Sequence, residues 1–313
     1  MDIFSLVTRS ISQLPDGPHI AGLRSVMKHI TVAAKYLERG RDFDEGDLYT
    51  DVVYRTNQAF EGSLKEAYRV LAGAAPEKKT PDQIEKYLET NKLLSDRVVI
   101  QLTRYRQEWR NPSTHDYTLD FDESEAFLAL VSVASFAKVL VDQIAISLAQ
   151  KNTVKRPEST VHTNTSLIEY IEEGCVYLLN AVVENKSPPK SEVELLGLIS
   201  GYFSEDDIEI KIAPSEEFQG HARPDLLLSR GDERVVVELK RSSKPLTLSP
   251  TDYDQIETYI EAAPGATGLL VMWHPNATGY EGCEWPPNLD HSDRLRVVLF
   301  DEIEAKNRDS LDK

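Results

Sequence analysis

Cysteine is scarce in this chain, with Cys175 and Cys283 the only two among 313 residues. That excludes a disulfide framework and any zinc site built on paired cysteines, and it fits a reducing compartment. The opening "MDIFSLVTRSISQ" carries Asp2 and Arg9 and has no continuous apolar stretch, so it does not resemble a secretory leader. Long hydrophobic runs are limited to "FLALVSVASFAKVLVDQIAISLA" (127–149), which Lys138 and Asp142 interrupt four residues apart. Opposite charges at that spacing suit a soluble helix better than a membrane span. The expectation is a cytoplasmic protein with no membrane contact. Internal repeats and low-complexity tracts are lacking too.

Positive charge is short, and unevenly so. The formal net charge is −17. Residues 1–150 hold 18 Lys and Arg against 22 Asp and Glu; residues 151–313 hold 17 against 30. So acidic a second half argues against a passive coat on nucleic acid, which needs many phosphate contacts. It leaves room for an enzyme that meets phosphates through bound cations, because those invert the local sign of the site.

The two halves also differ in period. Helical spacing recurs through 21–40, 49–73, 80–91, 95–111 and the apolar run at 127–149, with Gly and Pro punctuation between them, and predicts an all-α bundle. The stretch "KNTVKRPESTVHTNTS" is polar and aperiodic, which sets a linker at 151–165 between a helical domain (1–150) and a second domain (166–313). There two helices lead into strands "IEIKIA" (208–213), "PDLLLS" and "RVVVELK", the latter two joined by "RGDE". A helix at 249–263 and strands "TGLLVMWH" and "RLRVVLF" complete the order. The fold class expected is a two-domain α/β (α+β) protein, an α-helical bundle followed by a helix–three-strand–helix–strand core. Consecutive apolar positions in "GLLVM" predict a sheet covered on both faces.

Two of these strands carry charges where a core strand should carry none: Asp225 in the first, Glu238 and Lys240 in the second, thirteen residues on. Side chains alternate along a strand, so Glu238 and Lys240 share a face. Pairing of the two strands would bring both carboxylates and the ammonium together. Carboxylates held close repel unless a cation lies between them, and a hard divalent ion such as Mg²⁺ takes oxygen ligands of this kind. Such an ion lowers the pKa of bound water, and a neighbouring lysine can orient that water or stabilise the transition state. A solvated ion pair at strand ends is the competing explanation.

In order and strand placement, "RPDLLLS…RVVVELK" resembles the signature of the PD-(D/E)xK nuclease superfamily, with its restriction-endonuclease-like α-β-β-β-α-β core. The resemblance covers roughly the last 120 residues. It implies that Asp225 and Glu238 bind Mg²⁺ (or Mn²⁺) and that Lys240 acts on the attacking water. A glutamate from the preceding helix often joins them; Glu192 shares the inward stripe of Leu195, Leu196 and Ile199, and Glu194 is the less favoured choice. "QIETY" resembles the QxxxY motif of a RecB-like branch, with Gln255 and Tyr259 on one helical face, placed to reach substrate or Lys240.

In the helical half, "EWRNPSTHDY" (108–117) sits at a helix end that Pro112 is expected to break. Arg110, Asn111 and His115 there resemble the Rx4-6H motif of HEPN domains. That resemblance spans approximately 20–150 and implies a dimer through the helical half, with Arg and His of two protomers forming a metal-independent ribonuclease site. Histidine can move a proton at the ribose 2′-hydroxyl and arginine can hold the phosphate. An arginine paired with Asp116 or Glu108, beside a solvent-exposed histidine, is the plainer alternative. Elsewhere His162 reads as solvated, His274 as structural, and Trp109, Trp273 and Trp285 as packing residues.

The combined expectation is a Mg²⁺-dependent nuclease acting on nucleic acid, DNA in preference to RNA. By analogy it would serve antiviral (anti-phage) defence, with a partner in a defence complex. Two alternatives stand beside it: a HEPN ribonuclease with the nuclease fold as sensor, and a non-catalytic regulatory or scaffold subunit.

Overall fold

Helical spacing in the first half resolves into helices whose apolar faces meet. The computed structural model describes residues 2–94, 96–116, 118–155, 165–204, 210–214, 223–244, 250–284 and 294–303. They divide into two compact units, Met1–Leu148 and Ala149–Lys313. In the first unit α1 (Ile3–Gln13), α2 (Pro18–Phe43), α3 (Asp47–Leu71), α4 (Pro81–Thr90) and α5 (Asp96–Tyr105) follow in order. A π-helical turn (Arg106–Arg110), α6 (Asn111–His115) and α7 (Glu123–Lys151) complete it. Helix α1 was not expected; Asp2 caps it by accepting the Phe4 N–H at 3.0 Å, and Val7 and Ile11 are its buried anchors. Helix α4 opens on a capping box, Thr80 and Gln83 each accepting the other's backbone N–H. The cap expected of Ser95 lies outside the described residues.

Pro112 does not break the helix as expected. The Asn111 N–H reaches back to the Arg106 carbonyl, a five-residue π step that re-registers the ladder. Pro112 then falls in the first turn of α6, where a missing N–H costs nothing, and winding continues to His115. Phe60, Tyr105 and Phe136 stack in the core beneath, with ring centroids 4.7 to 6.2 Å apart. By length and composition α7 could cross a bilayer; half of its apolar stretch is buried, and Lys138 pairs with Asp142 on it at 2.6 Å.

The second unit is mixed α/β. Helices α8 (Leu167–Glu184) and α9 (Glu192–Ser204) precede β1 (Lys211–Pro214), β2 (Leu226–Arg230) and β3 (Glu233–Arg241). Then come α10 (Pro250–Ala262), β4 (Thr267–Trp273), β5 (Tyr280–Glu284) and β6 (Leu295–Phe300). The first strand is shorter than 208–213 predicted, and residues 205–209 lie outside the described ones, as do Ser249, His162 and Trp285. The described strands form one sheet in the order β1-β2-β3-β4-β6-β5. Pairing is antiparallel across β1-β2-β3, parallel across β3-β4-β6, and antiparallel between β6 and β5. Gly231, at φ +59°, heads the two-residue turn between β2 and β3, a backbone region open to glycine at little cost.

Val235 to Val237 and Gly268 to Trp273 are buried at every position, as strands covered on both faces must be. Strand β5 was not expected. Its sequence "YEGCE" has no apolar alternation, because as an edge strand it buries only Tyr280. Asn180 of α8 stands in for a neighbouring strand there: its amide donates to the Tyr280 carbonyl and accepts the Tyr280 N–H, both at 2.8 Å.

Candidate active site

The pairing of β2 with β3 runs from Arg230↔Glu233 to Leu226↔Val237 and then stops. One residue further along each strand stand Asp225 and Glu238, where the ladder opens. The Leu239 N–H, no longer needed by β2, donates instead to the Asp225 carboxylate at 2.7 Å. This bond turns Asp225 toward β3 and fixes it, a contact between side chain and backbone that strand periodicity alone could not reveal.

Glu238 is 4% exposed, the only carboxylate so deeply buried among the described residues of this unit. Its Oε1 accepts from Lys240 Nζ at 3.0 Å and from Gln255 Nε2 at 2.6 Å. The other end of the same amide, Gln255 Oε1, accepts from Lys240 Nζ at 2.5 Å, and Gln255 Nε2 also donates to the Tyr259 hydroxyl at 2.7 Å. Gln255 and Tyr259 lie one turn apart on α10. Glu192 is the first residue of α9 and is exposed; its carboxyl nonetheless lies in the field of Asp225, Glu238 and Lys240. Glu194 sits elsewhere, accepting the Lys190 N–H at 2.8 Å as part of the helix start.

Electrostatics follow from this crowding. Burial, with the Asp225 charge second, pushes Glu238 up to about 7, against the opposing pull of Lys240. Asp225 is raised by burial, while the Leu239 N–H, Lys240 and a hydrogen bond shared with Glu238 hold it down. Desolvation and then the Asp225 charge raise Glu192. Burial works against the Lys240 charge, but Glu238 and Asp225 outweigh it and keep the ammonium's pKa above its ordinary value.

Near pH 7, then, the touching carboxyls are still partly protonated, and a cation could take the place of that proton. The donors are oxygen only, which suits Mg²⁺ or Mn²⁺. Among the described residues no group of three or more His, Cys, Asp or Glu closes on one point; two carboxylates such as Asp225 and Glu238 could hold an ion only with water filling its remaining positions, as Mg²⁺ commonly allows.

The other motif is arranged differently. Arg110 leaves the π-helical turn toward α3 and pairs with Glu61, Nε to Oε1 at 3.0 Å and Nη2 to Oε1 at 2.9 Å. Its partner is therefore neither Asp116 nor Glu108. Asn111 Oδ1 accepts from Arg110 Nη1 at 3.2 Å. Arg110 faces an open cleft of about 410 Å³ that Asn57, Glu61, Ser113 and Thr114 also line. His115 is exposed at the end of α6 and does not line that cleft. Glu61 and Asn57, four residues apart on α3, escaped the sequence reading because nothing local links them to a motif some 50 residues downstream. Asn57 is tied to that motif through a 2.6 Å hydrogen bond to Ser113.

Trp109 packs on Phe121, Trp273 is fully buried, and His274 is held by the loop after β4, its Nδ1 accepting the Asn276 N–H at 3.1 Å. No protein-family model matches the chain, and a search of curated proteins finds no relative.

Proposed function

We propose that the second unit is a metal-dependent nuclease of the PD-(D/E)xK type that hydrolyses phosphodiester bonds, in DNA in preference to RNA. One observation carries the reading: Asp225, Glu238, Lys240 and Gln255, drawn from two strands and a helix, converge in one hydrogen-bonded cluster at the open end of the β2–β3 ladder. A surface ion pair would not bury Glu238 or recruit an amide to hold its partner.

Asp225 and Glu238 would hold Mg²⁺ or Mn²⁺, which when bound supplies a water of lowered pKa and neutralises charge on the phosphate. Lys240 has three N–H donors, of which Glu238 and Gln255 engage two; the third can orient the attacking water or meet a phosphoryl oxygen as negative charge builds. Gln255 bridges the Lys240–Glu238 pair and so fixes the direction of the ammonium, and Tyr259 fixes Gln255. Glu192, at the exposed rim, can accept a hydrogen bond from a water of the ion's outer shell. The helical unit is read as a HEPN-like bundle that dimerises the protein, since Glu61 already occupies the guanidinium that would grip a phosphate. A cytoplasmic role in antiviral defence, with a further protein partner, extends this reading by analogy.

The test is incubation with DNA and with RNA, in Mg²⁺ and in chelator, alongside Lys240→Ala and His115→Ala. DNA cleavage is expected in Mg²⁺ only, and Lys240→Ala should lose at least about 100-fold, the scale of one preorganised donor. DNA cleavage that survives chelation or Lys240→Ala contradicts the reading. Metal-independent RNA cleavage lost with His115→Ala would move the activity to the helical unit. No cleavage of either substrate would favour the scaffold alternative.

A further inference from the structure

Resting on the nuclease reading for the identity of its ligand, we infer that the helical unit binds a nucleic-acid backbone on α2, through Arg24, Lys28 and Lys35, continued by Arg55 of α3. Between Gly17 and Leu37 the chain has no Asp or Glu, in a protein with 52 acidic residues. Arg24, Lys28 and Lys35 follow one another at i, i+4 and i+11. On an α-helix that spacing sets them within about 40° of one direction and spreads them over about 16.5 Å. All three are exposed. Other cations of this unit are engaged by the fold. Arg39, Arg41, Arg69, Arg106, Arg110 and Lys138 each pair with a carboxylate at 3.0 Å or less, and Lys65 stands 4.0 Å from Glu61. Arg24, Lys28, Lys35 and Arg55 make no ion pair among the described residues. Arg9, Lys78, Lys79, Lys86, Lys92 and Arg104 make none either, but they are scattered over α1, α4, α5 and the turns beside α4.

Arg55 joins this face because α2 and α3 pack closely. A Cβ on Gly62 would lie 2.8 Å from Val26 Cγ2, so glycine lets the two helices meet there. Two turns earlier on the same side of α3, Arg55 stands near His29 of α2. Burial first, then the charges of Arg55 and Lys28, hold the His29 imidazole below its ordinary pKa, and no described carboxylate opposes them. Arg55 Nη1 donates to Gln58 Oε1 at 3.3 Å, and the other guanidinium N–H groups have no partner among the described residues. The result is a face of net positive charge with N–H donors to spare. Spaced cations without carboxylates between them suit a repeating anion, the phosphodiester backbone. The second unit, by its excess of carboxylates, repels that backbone, so the helical unit is where charge alone favours it.

The test reads binding without cleavage. In EDTA, the full chain is titrated against a fluorescein-labelled DNA duplex at several salt concentrations. Log affinity should fall linearly with log salt, and Lys28→Gln and Arg55→Gln should each reduce the slope by about 0.9, the share of one phosphate contact on duplex DNA. The triple variant Arg24→Gln/Lys28→Gln/Lys35→Gln should reduce it by about 2.7. Lys28→Arg should keep the wild-type slope, and Lys86→Gln on α4, an equal loss of charge elsewhere, should leave it unchanged. The α2 side chains are exposed and Gln suits a helix as well as Lys does, so these variants keep the fold. A triple variant with the wild-type slope would overturn the inference, as would wild-type protein that does not bind the duplex. So would a triple variant that binds DNA normally but no longer self-associates in sedimentation, because the occupant would then be the acidic unit of a second copy. The outcome is separable from the nuclease reading. Cleavage in Mg²⁺ with no change in slope would sink only the α2 face, and a reduced slope with no cleavage would sink only the nuclease.

Discussion

An amide fits between an ammonium and a carboxylate in one orientation only, oxygen to the donor and nitrogen to the acceptor. Gln255 adopts it, with Lys240 on one side and Glu238 on the other. Gln255→Ala should remove the bridge across the Lys240–Glu238 pair while leaving the fold intact, because the side chain is only half-buried. Supporting groups of this kind typically contribute about 10- to 100-fold in activity; we expect kcat/KM for DNA to fall by that much and the unfolding midpoint to stay in place. A wild-type rate in Gln255→Ala would show that Lys240 holds itself. At this scale the sequence was informative about identity and silent about partners. Asp225, Glu238, Lys240, Gln255 and Tyr259 stand out as charges or spacings that a core strand and its flanking helix do not need. The Leu239 N–H and Glu61 do not stand out, since one is backbone and the other is a common residue on a polar helix face.

Elements were legible where one physical pattern dominated. The amphipathic helices, the paired strands around Gly231 and the buried strand β4 follow directly from periodicity and turn chemistry. Helix α1 was missed because two buried residues make a weak stripe, and β5 because an edge strand needs little apolar surface. Pro112 misled for a reason of register: the π-helical turn before it shifts the ladder so that no N–H is missed. That turn is itself pinned. Arg106 donates to Glu85 at 3.0 Å, and Glu85 on α4 is 5% exposed. Glu85→Ala leaves a largely buried guanidinium with Asp82 as its remaining carboxylate, at 3.2 Å. The expected loss is about 3 kcal/mol, the lower end for a broken buried pair, read as a lower urea midpoint for the helical unit. A change under about 0.5 kcal/mol would mean that α4 and α5 position the turn without this pair.

For the molecule as a whole, the distribution of charge organises the account. A net charge of −17 works against binding nucleic acid. The conflict eases if nucleic acid meets the chain at the open end of the β2–β3 ladder, where a bound cation would invert the local sign. The central claim is that the charges set inside β3 and before β2 form a cation site. Its most direct test is calorimetric titration of the full chain with Mn²⁺ between pH 6 and 8, wild type against Asp225→Asn. Because Glu238 is raised to about 7, a proton competes with the ion below that pH. Wild-type affinity should therefore rise with pH through 7 and level off above it, with about half a proton released per ion at pH 7. Asp225→Asn should bind at least about 10-fold more weakly. Binding that is independent of pH and unchanged in Asp225→Asn would contradict the account.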